Sequence, residues 1–121
     1  MTAREVTSFD VVPGQPATVV QAHGELDTSS VGAFRAALET AAGAGTPLVV
    51  VDLAHVSFLD SAGLAVIFGA QRQLPVEQRL VLGNVPQRML RTLRLASVTS
   101  VVEVHPEGEP QPWQDEAVDE V

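Results

Sequence analysis

Apolar positions change their spacing along the chain, and each change marks a different element. Residues 6–12 and 17–23 have strand composition, and Pro13-Gly14-Gln15-Pro16 between them has the φ preferences of a turn, so the start predicts a hairpin. Asp27-Thr28-Ser29-Ser30 then offers N-cap oxygens ahead of Val31, Phe34, Ala37, Leu38 and Ala41, which recur at helical spacing until Gly43 and Gly45. Residues 47–53 form a continuous β-branched run instead of an alternating one, the pattern of a strand covered on both faces. After Phe58 and Leu59, Asp60-Ser61-Ala62-Gly63 leads into the apolar residues 64–68 and on to Leu74 before Pro75. That is a strand, a turn at its carboxyl end, and a helix. Residues 79–83 read as a short strand, 84–95 as a helix with Pro86 near its first position, and 98–104 as a last strand. The order predicts an α/β fold, a single domain with a mixed β-sheet and helices packed against it, the later strands parallel because helical crossovers join them.

Composition narrows the class. The 121 residues are 45% apolar, enough for one domain with a core, and only Phe9, Phe34, Phe58, Phe68 and Trp113 are aromatic. There is no cysteine, which removes disulfides, thiolate nucleophiles and Cys-ligated metals and agrees with a cytoplasmic location. The polar start lacks the long apolar stretch expected of a signal peptide, and no apolar run approaches the length of a membrane span. The net charge of −8 argues against binding nucleic acid or an anionic membrane by bulk charge. That charge is uneven: residues 1–102 hold eight acids and seven Arg, while Glu103, Glu107, Glu109, Asp115, Glu116, Asp119 and Glu120 follow with no Arg. With Pro106, Pro110 and Pro112 and no periodicity, residues 106–121 read as an acidic, disordered or loosely docked tail beyond a 1–105 domain, with Trp113 solvated.

Few residues can carry chemistry. Ser61 lacks the Gly-x-Ser-x-Gly context of a hydrolase nucleophile, no phosphate-binding loop is present, and the chain has no Lys. His23, His55 and His105 are widely spaced and have the ordinary reading of surface or loop histidines, with no metal site and no cofactor implied. Asp60-Ser61 has two readings. One is helix capping; the other is phosphorylation, since free amides at a helix start favour an anion. Arg88, Arg91 and Arg94 form a basic face on the third helix, which could be solvated, hold a partner, or dock the acidic tail.

The stretch Val56-Ser-Phe-Leu-Asp-Ser-Ala-Gly-Leu64, with Leu48-Val-Val-Val-Asp-Leu53 before it and Gly24-Glu-Leu-Asp27 further upstream, resembles the STAS domain of bacterial anti-sigma factor antagonists. The resemblance covers roughly residues 5–105. It implies a STAS-like fold and partner switching: the unphosphorylated protein binds an anti-sigma factor that is also a GHKL-type serine kinase, which frees a sigma factor. Phosphorylation ends that binding and a PP2C-type phosphatase restores it. The family's acceptor falls on Ser61, its nearby acids on Asp27 and Asp60, and its turn and helix start on Gly63 and Leu64. Ala62 replaces the family's second hydroxyl residue, and Leu95-Ala-Ser-Val98 stands where relatives often carry a glycine after the third helix. The alternative within the family is an unphosphorylated scaffold or the regulatory subunit of a transporter complex. An enzyme using Ser61 as nucleophile is disfavoured for want of a basic partner, and the Arg- and Ala-rich composition suits a high-GC bacterial source.

Overall fold

The continuous apolar run becomes the central strand of the sheet. In the computed structural model, which describes residues 6–114, the elements run β1 (Ser8–Val12), β2 (Ala17–Leu26), α1 (Val31–Gly43), β3 (Leu48–Leu59), α2 (Ser61–Gln73), β4 (Arg79–Val85), α3 (Gln87–Leu95), a 3-10 turn (Val98–Ser100) and β5 (Glu103–Pro106). The strand order in the sheet is the chain order, β1 antiparallel to β2 and every later pair parallel. A mixed sheet with crossover helices is therefore what forms.

Alternation along the strands divides the apolar residues between two faces. Val20, Val49, Val51, Leu80 and Leu82 point to the side where Phe34 of α1, Ile67 of α2 and Leu93 of α3 complete the main core. Ala17, Leu48, Val50 and Val81 point the other way, and Trp113 covers them. This corrects the expectation of a solvated Trp113: it is only 9% exposed. Gly83 makes the fit possible, because a Cβ there would fall inside the indole ring's van der Waals surface. The segment leading to Trp113 is also held. The Glu107 amide donates to the Val85 carbonyl and the Glu107 carboxylate accepts from the Gln87 amide at the start of α3. Gln111, buried, accepts from the Asn84 amide and donates to the carbonyls of Pro106 and Glu109. So residues 107–114 pack on the domain instead of trailing from it, and they reach α3 through its first amide, not its arginines. Residues 1–5 and 115–121, including the tail acids Asp115, Glu116, Asp119 and Glu120, lie outside the described residues.

Other differences are local. Residues 98–100 form a 3-10 turn instead of a strand, because Val98 and Val102 both turn into the core. Ser97 takes the left-handed conformation (φ 62°), the role a glycine fills more easily after a helix. Asn84 and Val85 extend β4, so α3 starts at Gln87, after Pro86. Ser30 precedes α1 without capping it; its hydroxyl bonds the Glu25 carbonyl.

Candidate functional site

The parallel strands β2 and β3 end side by side, with Leu26 opposite Leu59. There the Asp60 amide donates to the Leu26 carbonyl (3.2 Å), which fixes where α2 begins. Asp60 caps that helix: its Oδ1 accepts from the amides of Ala62 (2.9 Å) and Gly63 (3.2 Å). Two amides that would otherwise lack partners are thereby satisfied. Ser61, the first residue of α2, is exposed, and capping does not depend on its hydroxyl.

Gly63 has a steric reason to be glycine. A Cβ there would stand 2.7 Å from Leu59 Cδ1 and 2.8 Å from the Leu26 carbonyl oxygen, so any side chain would push α2 off the strand ends. Leu64 follows, half-buried and packed against the main core. On the neighbouring turn, the Asp27 carboxylate accepts from the amide (3.0 Å) and hydroxyl (2.7 Å) of Ser29. Asp27, Asp60, Ser61, Ala62, Gly63 and Leu64 are thus gathered at one rim, the carboxyl ends of β2 and β3 and the start of α2.

Two further residues stand beside this rim. Phe58, 49% exposed, lines a shallow cavity of about 210 Å³ with Ser57, Leu59, Arg88, Met89 and Thr92. The Arg88 guanidinium donates to the Val56 carbonyl (2.6 Å), tying α3 to the end of β3. Phe58 lies inside the sequence motif, but only the strand's position against α3 reveals that its ring faces solvent. A larger crevice of about 400 Å³ lies between α1 and α2, and none of residues 60–64 lines it.

The histidines fall elsewhere. His23 and His55 stack face to face on adjacent strands with ring centroids 5.1 Å apart, and Asp10 lies 3.7 Å from His23. His105 bonds the Glu103 carboxylate, which Arg79 also approaches at 3.1 Å. The His105 hydrogen bond lowers the Glu103 pKa most, partial burial works against it, and the Arg79 charge adds to the lowering. Among the described residues, no group of three or more His, Asp or Glu is placed to hold a metal ion, and no helix is long and apolar enough to cross a membrane.

The family model described as "Mlab, STAS domain" matches residues 12–103. The anti-sigma-B factor antagonist of Listeria monocytogenes serovar 1/2a is 32% identical over 88 residues, which is 71% of this chain and 77% of that protein. Among solved structures, an anti-sigma factor antagonist from Mycobacterium paratuberculosis superposes with a TM-score of 0.75 at 23% identity, covering 88% of this chain and 91% of its own. The anti-sigma factor antagonist SpoIIAA in its unphosphorylated form gives a TM-score of 0.63 at 25% identity, covering 94% and 96%. With the motif residues gathered on one rim of the matching fold, the chain belongs to the STAS-domain family of anti-sigma factor antagonists.

Proposed function

We propose that this protein is a phosphorylation-controlled partner switch. Unphosphorylated, it binds an anti-sigma factor that is also a GHKL-type serine kinase, and so frees a sigma factor. The kinase transfers the γ-phosphoryl group of ATP to Ser61 Oγ, releasing ADP and the hydroxyl proton, and binding ends. A PP2C-type phosphatase hydrolyses the phosphoserine and restores it. The observation that carries this reading is the division of labour at the turn: Asp60 caps α2, which leaves the Ser61 hydroxyl exposed and free for modification. The relative SpoIIAA is known in both unphosphorylated and phosphorylated forms, which agrees with it.

The physics of release is local. A phosphate adds about −1.5 to −2 charges next to Asp60. Buried against a partner without a matched cation, such a group costs several kcal/mol, and each 1.4 kcal/mol is about tenfold in affinity. Asp60 orients the turn and adds to the repulsion; no catalytic step is assigned to it.

Incubation with the kinase partner and ATP should add one phosphate at Ser61, and mass spectrometry of Ser61→Ala should find none. Labelling at another residue with Ser61 untouched would overturn the assignment. Ser61→Asp should weaken the complex at least about tenfold with an unchanged circular dichroism spectrum. Stable capture of a transporter ATPase by the wild-type chain, and of no anti-sigma factor, would favour the transporter-subunit reading instead.

A further inference from the structure

Residues 78–102 contain Arg79, Arg88, Arg91 and Arg94 and not one Asp or Glu, in a chain whose net charge is −8. Arg79 is paired with Glu103 and Arg88 is tied to the Val56 carbonyl. Arg91 and Arg94 are exposed on α3, and among the described residues no carboxylate lies within ion-pair distance of either. Arg88, Arg91, Thr92 and Leu95 follow the i, i+3, i+4, i+7 spacing of one helix stripe. Leu95 is 76% exposed at one end of that stripe, and Phe58, 49% exposed, borders it at the other. Met89, Leu90 and Leu93 are spent on the core, so apart from the Arg88 bond to Val56 the stripe is not used to hold α3 down.

We propose that this stripe, with Arg94 at its edge three residues after Arg91, and Phe58 form a docking surface for an acidic segment of the partner protein, with Phe58 as the apolar anchor and Arg91 and Arg94 as the charges that guide it. The proposal rests on the partner-switch reading and sharpens it. Phe58 lies three residues before Ser61, so an acidic segment seated on α3 borders the turn where a phosphate would add negative charge. Attraction to the arginines and repulsion by the phosphate then act on the same partner carboxylates. A protein partner fits better than nucleic acid, because two arginines cannot offset the repulsion between a polyanion and a chain of this net charge.

The test uses the full chain and the anti-sigma factor recovered with it, followed by stopped-flow association. The double variant Arg91→Glu/Arg94→Glu should associate at least about tenfold more slowly than wild type at 50 mM salt. Near 0.5 M salt, where screening acts within a few ångströms, the two rates should converge. Phe58→Ser should instead speed dissociation about tenfold or more and leave the salt dependence of association unchanged. Arg35→Glu on α1 serves as a charge control and should associate within about threefold of wild type at either salt concentration, with all variants matched by thermal melts. Wild-type association rates for the double variant at low salt, while Ser61→Asp still releases the partner, would overturn this surface and leave the switch standing. If the wild-type chain binds no anti-sigma factor but binds duplex DNA, both fall.

Discussion

The turn at residues 60–64 and the segment at 107–114 both fasten onto strand ends of one sheet, by opposite means. The turn is fixed mainly by bonds within four residues: Asp60 holds the Ala62 and Gly63 amides, and the one longer bond runs from the Asp60 amide to Leu26. The C-terminal segment is fixed by partners far back in the chain, through Glu107 to Gln87, Gln111 to Asn84, and Trp113 over Gly83. A turn held by its own short bonds can present a side chain that does nothing structural. That leaves Ser61 available for change. A segment held by distant partners commits its side chains, and altering one unseats the rest.

The comparison breaks most readily at Trp113. Trp113→Ala should destabilise the domain by about 3 kcal/mol, read from urea unfolding, because it uncovers Val50 and Val81 and leaves a hole. Gly83→Ala should act through the same contact, so the double variant should cost clearly less than the sum of the singles. Full additivity would mean that the indole does not depend on the missing Cβ. At the turn, Gly63→Ala should cost about 2 kcal/mol, since the Leu26 carbonyl in its way is backbone and cannot rotate aside. Asp60→Ala should cost about 1 kcal/mol, the loss of one cap. A loss at Asp60 equal to that at Trp113 would make the turn as structural as the strap.

The smallest effect concerns acid. Glu103 has its pKa lowered in the folded state from an ordinary value of 4.5. Its contribution is therefore present above that value and lost as pH falls through the lower folded one. Glu103→Gln should reduce stability by under about 1 kcal/mol at pH 7, with the difference shrinking towards pH 3. A difference constant with pH would remove the carboxylate from the account.

How much of this was legible in the sequence follows from the range of each interaction. The hairpin, the two-faced strand, the strand-turn-helix at Asp60 and the element order are set by residues close in sequence, and the structure contains them all. The continuous run at residues 47–53 even demanded cover on both faces. What it could not name was the cover. An isolated Trp among prolines and acids has no periodicity to betray it, and its socket is an absent side chain thirty residues earlier. The 3-10 turn at Val98 escaped for a similar reason, since the core, not the local pattern, draws Val98 and Val102 inward.

The exposed Phe58 sits between these cases: its strand was predictable, its exposure was not. The sequence by itself determined the elements, their order and the motif of the switch turn, because spacing, capping and glycine placement act over a few residues. Only the tertiary structure decided that Asp60 rather than Ser61 serves as the cap, that Trp113 closes the second face, and that Arg88 ties α3 to the end of β3 beside the exposed Phe58. Those outcomes depend on which distant atoms fill a given space, and hydrophobic pattern carries no record of that.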